Sequence, residues 1–187
     1  MQNINIYTRT HYTLESLNNI ISNLDYMKES KELISIFSFE GACVTLQEFY
    51  MLKRCMTGRI LVLAENATII FLASILSSER IKYIRLDVSF QLLKEEVKSL
   101  LNERYNFPVS FEKEVLSPSN LSLKEYSVLQ LYIKGLSITQ ISKIFNLSVK
   151  TIYATKDHAM CKIGVNSDAG LLYNWDIING LFIGFTL

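Results

Sequence analysis

Proline is nearly absent from this sequence. Pro108 and Pro118 are the only two in 187 residues, and glycine is limited to 7. That scarcity excludes collagen-like and Pro/Gly-rich disordered chains, and 49% hydrophobic residues supply ample material for a packed core. The length suits one domain or two small ones. Cysteine is equally sparse. Cys43, Cys55 and Cys161 show no C-x-x-C spacing, and the two histidines, His11 and His158, lie far apart. A disulfide framework and a zinc site are therefore not expected, and the thiols read as reduced. Long apolar runs are missing too: Ala67–Leu76 and Gly180–Leu187 fall far short of the ~20 residues that span a bilayer. The polar start, Met1 to Tyr12, lacks a basic flank leading into an apolar run. The reading is a cytoplasmic chain without membrane association. No Ser-His-Asp set, phosphate-binding Gly loop or metal spacing is present, so neither an enzyme nor a cofactor is expected. Finally, neither charge sign dominates, with 19 basic and 18 acidic side chains and a net charge of +1.

That balance is uneven along the chain. Residues 1–107 carry 12 basic and 12 acidic side chains, and residues 121–187 carry 6 and 4. The first part alternates short apolar runs with helical periods. Ile4–Tyr7, Leu33–Phe39, Ile60–Ala64 and Tyr83–Val88 read as strands. Thr13–Leu24 (with Thr13 as cap), Thr45–Arg54 (ended near Gly58), Thr68–Ser77 and Gln91–Asn102 read as helices. Continuous apolar strands between helices predict a parallel sheet with flanking helices, an α/β domain over 1–107. Residues 108–120, holding both prolines and Ser117-Pro118-Ser119-Asn120, read as a linker.

From Leu121 the signals are those of capped helices. Ser122 with Glu125 forms a capping box that opens a helix ended by Gly135, and Ser137 with Gln140 opens a second, to Phe145. Ser148 caps a third that stops at Gly164, and Ser167 opens a fourth. Only Asn146 and Leu147 join the second helix to the third, the tight connection of a helix-turn-helix. An all-α, four-helix domain over 121–187 follows. Its third helix buries Ile152, Ala159 and Ile163 and leaves Lys150, Thr151, Tyr153, Ala154 and Asp157 free to meet the major groove. Lys150 and the helix N-terminal amides suit phosphates, and Lys134 and Lys143 are candidates for further backbone contacts.

The stretch 121–165 resembles the LuxR/FixJ/NarL-type helix-turn-helix family. Leu121-x3-Glu125, Leu129, Gly135, Ile141, Leu147-Ser148, Lys150-Thr151-Ile152 and Lys162-Ile163-Gly164-Val165 carry the resemblance. Lys156 and Ser167–Leu172 resemble the narrower RcsB/BglJ/RcsA-type branch, as does Asn179-Gly180-Leu181-Phe182 more briefly, and this adds Lys156 to the DNA-facing set. The resemblance implies a transcription regulator that binds double-stranded promoter DNA as a homodimer, or as a heterodimer with an RcsB-like regulator. Asp157 departs from it, standing on a face that the family usually leaves neutral or basic. Tyr153 and Ala154 offer little bidentate hydrogen bonding to bases. The alternative is a modulator that pairs with a related regulator and reads few bases itself.

By the same resemblance, residues 1–107 look like a degenerate receiver domain. An acidic pair is expected after the first strand, where Thr8-Arg9-Thr10 stands. Phe39-Glu40 replaces the acceptor aspartate, Ala64-Glu65 the Thr or Ser, and Asp87-Val88 the lysine. Asp25–Glu32 is too short for a missing strand-helix pair. Without the acidic pocket neither Mg²⁺ nor an acyl phosphate is supported, so activity independent of phosphorylation is expected. Glu40 reads either as a solvated turn residue or as a fixed mimic of phosphorylated aspartate, and nothing in the sequence positions it with Asp87 as a carboxylate pair. The apolar tail Trp175–Leu187 reads either as core of its own domain or as an interface.

Overall fold

In the computed structural model, residues 4–24, 32–41, 43–76, 78–102 and 121–184 are described. The expected linker, the connection over 25–31 and Phe185 of the tail lie outside them. The chain divides into two compact units, Met1–Ile69 with Ser78–Glu112, and Ile70–Ser77 with Lys113–Leu187.

In the first unit, β1 (Ile4–Thr8), β2 (Ile34–Phe39), β3 (Arg59–Ala64) and β4 (Ile81–Arg85) form one parallel sheet in the order β1-β2-β3-β4. The two central strands, ISIFSF and RILVLA, are buried at every position, which is why their sequences are near-continuous apolar runs. The flanking β1 and β4 are partly exposed. Because no further strand is inserted before β2, β1 stands at an edge. One face of the sheet packs Ile34, Ile36, Leu61, Leu63 and Ile84 with Leu17 and Ile20 of α1 (His11–Ser22) and Val97, Leu100 and Leu101 of α4 (Phe90–Leu101). Strand alternation sends Phe37 and Val62, also buried, to the opposite face, where Tyr7 stacks on Phe37 at 4.4 Å. The remaining helices are α2 (Leu46–Arg54) and α3 (Asn66–Ile75), the second of which straddles the division between units.

Three boundaries differ from expectation. Helix α1 starts at His11 because Thr10, not Thr13, is its cap, its hydroxyl accepting from the Thr13 amide. Helix α2 ends at Cys55, and Gly58 serves another purpose. A Cβ there would lie 2.1 Å from the Leu33 carbonyl oxygen, so only glycine admits this approach. Strand β4 covers 81–85 rather than 83–88, because Leu86 and Asp87 form a turn. Arg59, at the start of β3, is 5% exposed and its Nη1 donates to the carbonyls of Leu100 (2.6 Å) and Asn102 (2.8 Å). These are among the carbonyls that the end of α4 leaves without helical partners.

The second unit holds α5 (Leu123–Ile133), α6 (Ile138–Phe145), α7 (Val149–Lys162) and α8 (Asp168–Gly184). Val128, Ile141 and Ile152 form a core on which Leu131, Tyr132, Leu136, Ile138, Phe145 and Leu147 pack. Ser122 and Ser137 make complete capping boxes with Glu125 and Gln140. Three helix ends close on left-handed residues, Gly135 (φ 89°), Asn146 (φ 51°) and Gly164 (φ 68°). In each, the next amide reaches back to the last turn: Leu136 to Leu131, Leu147 to Ser142, and Val165 to Met160. The tail continues α8. Ile177 and Ile178 are buried, and Phe182 and Trp175 stack on Tyr126 of α5 at 3.9 and 5.8 Å, so these tail residues serve the unit's own packing. Among the described residues no helix is long and apolar enough to cross a membrane.

Candidate nucleic-acid interface

Helix α7 opens on Ser148, whose hydroxyl accepts from the Thr151 amide, while the Ser148 carbonyl accepts from Ile152. The amides of Val149 and Lys150 have no acceptor within the helix and point out of its positive end. One side of α7 is buried: Ile152, Lys156, Ala159 and Met160, continued by Ile163. The other exposes Lys150, Tyr153, Ala154 and Asp157, at helical intervals of three and four, with Thr151 beside them. Tyr153 is 54% exposed, a large aromatic surface for a soluble face. Lys143, in the last turn of α6, and Lys134, the C-cap of α5, are exposed as well but stand on other helices.

Lys156 is not on that face. It is 5% exposed, and its Nζ donates to Asp168 at 2.6 Å and lies 4.0 Å from the Tyr132 ring centroid and 5.8 Å from that of Tyr153. The Tyr132 hydroxyl donates to the other Asp168 oxygen at 2.8 Å. Burial disfavours the Lys156 charge, but the hydrogen bonds and charges of Asp168 and Tyr132 together outweigh it and raise the ammonium above its usual range. Asp168 is held below its own range by Lys156 and then Tyr132. Lys156 thus joins α5, α7 and α8 from inside. Its position four residues after Ile152 and three before Ala159 is the sequence signal that places it on the buried stripe.

A second internal tie was hidden behind a capping role. Glu125 is 7% exposed and accepts from the Ser122 amide (2.7 Å), Lys162 (2.8 Å) and His158 (3.0 Å). Burial opposes its charge, yet the Lys162 and Ser122 hydrogen bonds bring the carboxyl down to about 2. The lower half of α7 is thereby fixed against the start of α5, leaving the Lys150–Asp157 face on a rigid element.

In the first unit, the strand ends that would carry receiver chemistry carry other groups. Glu40 is not a solvated turn residue. Its Oε1 accepts from the hydroxyls of Thr8 (2.9 Å), Thr10 (2.9 Å) and Ser38 (3.2 Å), and its Oε2 is buried. Burial raises the carboxyl, and the hydroxyls of Thr13, Thr8, Thr10 and Ser38 more than offset this and lower it. Arg9 pairs instead with Glu48, at 2.7 Å from Nε. Asp87 pairs with Arg85 and takes no part in the Glu40 cluster. Among the described residues no group of three or more His, Cys, Asp or Glu is placed to hold a metal ion.

A small parallel α/β unit and a capped four-helix unit with a two-residue turn between α6 and α7 define a helix-turn-helix protein. Residues 119–173 match the family described as bacterial regulatory proteins, luxR family, and this segment belongs to it, in the branch of RcsB and BglJ. The segment is 48% identical over 52 residues to the transcriptional regulatory protein RcsB of Escherichia coli (strain K12), covering 28% of this chain and 24% of RcsB. It is 45% identical over 58 residues to the transcriptional activator protein BglJ of the same organism, covering 31% and 26%. The sequence matches therefore span about a quarter of those relatives' length. In structure, the chain is similar to RcsB in a response regulator–DNA complex, with a TM-score of 0.65 and 22% identity over 94% of this chain and 98% of that one. RcsB in a structure of two dimers bound to two parallel DNAs gives the same values. That likeness establishes the fold.

Proposed function

We propose that this chain is a cytoplasmic, sequence-specific DNA-binding regulator of transcription. Residues 121–187 are its reader, residues 108–120 a linker and residues 1–107 an interaction domain. The observation that carries this is the exposed Lys150–Asp157 face of α7, held rigidly from behind by Lys156, Glu125 and the Ile152 core. Such a helix delivers side chains to the major groove, while Lys150 and the free amides of the first turn meet phosphates. One reader covers too few base pairs for specificity, so the protein acts as a dimer. The relatives support this, since RcsB is found on DNA as dimers. Phosphorylation plays no part, because Thr8, Arg9 and Thr10 stand where an acidic pocket would hold Mg²⁺, and Glu40, in place of an acceptor aspartate, is tied through Oε1 to the hydroxyls of Thr8, Thr10 and Ser38. Electrophoretic mobility and anisotropy measurements on promoter duplexes test the reading. The full chain shifts DNA at nanomolar concentration with affinity falling steeply in salt. No salt-dependent binding, alone or with a related regulator added, overturns it.

A second reading has its own observation. Only Lys150 on the α7 face is basic, and Asp157 is acidic, which leaves the reader weak on phosphates. In that reading the chain forms a heterodimer with an RcsB-like regulator and contributes few base contacts. Binding that appears only when RcsB is added identifies this case.

A further inference from the structure

We infer that Asp157 reads a cytosine, its carboxylate accepting a hydrogen bond from the exocyclic amine at the base edge in the major groove. This rests on α7 being the groove-facing helix and says what one position of that helix selects.

The carboxylate is free to do so. Asp157 is exposed, and its helical neighbours one turn away in either direction are Tyr153, Ala154, Met160 and Cys161, none of them cationic. The lysines and the histidine of α7's lower half are engaged elsewhere, Lys156 with Asp168, and Lys162 and His158 with Glu125. Among the described residues no ion pair or side-chain hydrogen bond reaches the Asp157 carboxylate. It also shares its face with the residue at the helix start that meets the backbone. Lys150 precedes it by seven residues, about 10 Å along the axis at 1.5 Å per residue. Seven residues are close to two full turns, so on a helix that enters the groove with this face Asp157 follows behind the residue that anchors its start and is turned the same way.

The chemistry of the groove then narrows the choice. Phosphate oxygens, purine N7, guanine O6 and thymine O4 are all acceptors and repel a carboxylate. The only donors offered in the major groove are cytosine N4 and adenine N6. Adenine N6 is flanked by acceptors on both sides, N7 of its own ring and O4 of the paired thymine. Cytosine N4 has one acceptor neighbour, the paired guanine O6, and a C–H on the other side. A carboxylate therefore gains from cytosine and loses nearly everywhere else, which makes Asp157 selective at a cost in general affinity.

The test is selection of bound duplexes from a randomised pool by the full chain and by its D157A and D157N variants, with far-UV circular dichroism to confirm that each is folded. The wild-type chain enriches cytosine at one fixed position of the selected site. D157A loses that preference alone, binding the selected site roughly tenfold less selectively against a substitution at that position. D157N changes the preference there from cytosine to adenine, whose N6 and N7 match an amide side chain. If D157A instead binds all sequences more tightly with every preference unchanged, the carboxylate only repels phosphates and the inference fails, while the DNA-reading role of α7 stands. If the wild-type chain enriches no sequence and binds without salt dependence, alone or with RcsB present, both fail.

Discussion

Lys156 Nζ lies 2.6 Å from Asp168 Oδ1, joining α7 to α8 behind the helix face that carries Tyr153. The pair is lopsided: the Lys156 side chain is 6% exposed and that of Asp168 58%. Solvent screens the aspartate, so the attraction is weaker than in a fully buried pair, but removing Asp168 strands a buried ammonium. Asp168→Ala should destabilise the protein by on the order of 1–3 kcal/mol in urea unfolding. Lys156→Met, which keeps the apolar stem, should cost less. Because Lys156 is buried against Asp168, Lys156→Met should leave the salt slope of binding unchanged. A slope reduced by about one unit would make Lys156 a phosphate contact.

Glu125 sets part of the acid sensitivity. Its folded carboxyl titrates at about 2, below the ordinary value of 4.5. A depressed carboxylate contributes stability that is present above its unfolded pKa and lost as the pH falls through the folded one. The loss therefore develops between about pH 5 and pH 2. Glu125→Gln should lower stability at pH 7 by on the order of 3 kcal/mol and flatten the pH dependence across that window. Glu40, Glu48 and Asp168 are lowered too and leave a residual slope. An unchanged pH profile in the variant would show that Lys162 and Ser122 do not stabilise the Glu125 charge.

At the other end of the chain, Glu40 gathers hydroxyls from β1, the start of α1 and β2. Acetyl phosphate or beryllofluoride with Mg²⁺ should change neither the oligomeric state nor the affinity for DNA, as read by light scattering and anisotropy. A labile phosphoryl group found by mass spectrometry on any aspartate of residues 1–107 would contradict this. Glu40→Ala should leave Thr8, Thr10 and Ser38 without their shared acceptor and lower the unfolding midpoint, at about 1–3 kcal/mol for the lost charge-assisted bonds.

The stack of Phe182 on Tyr126 predicts what truncation does. Phe182→Ala should destabilise the second unit by about 2–4 kcal/mol, less than a full core deletion because Phe182 is only partly buried. Deleting residues 180–187 should likewise reduce stability, measured by thermal unfolding, rather than merely abolish association. A truncated chain with wild-type melting behaviour and lost association would place these residues in an interface.

The helix limits of the second unit are legible because their signals are local. Ser122 with Glu125, Ser137 with Gln140, and Gly135 and Gly164 each act within one turn. So is the parallel sheet, because ISIFSF and RILVLA leave no polar face for water. What escapes is set by distant partners. Lys156 looks like a surface lysine until Asp168, 12 residues on, and Tyr132 close over it. Glu40 looks like a turn residue until Thr8 and Thr10, some 30 residues earlier in the chain, fold against it. The end of β4 misleads for a different reason, since Leu86 and Val88 continue the apolar run through a turn that the Arg85–Asp87 pair accompanies.

The central claim is that the N-terminal half of α7 meets DNA, and charge reversal at Lys150 tests it most directly. Lys150 is exposed and sits in the first turn, so Lys150→Glu leaves the fold intact. Affinity for a promoter duplex, measured by anisotropy across a salt series for the wild-type chain and the variant, should fall for every sequence tried. The slope of log affinity against log salt should flatten by about one unit or more. Equal affinities and equal slopes for the two proteins would contradict the account, because the helix carrying Lys150 would then not be the one that faces the phosphates.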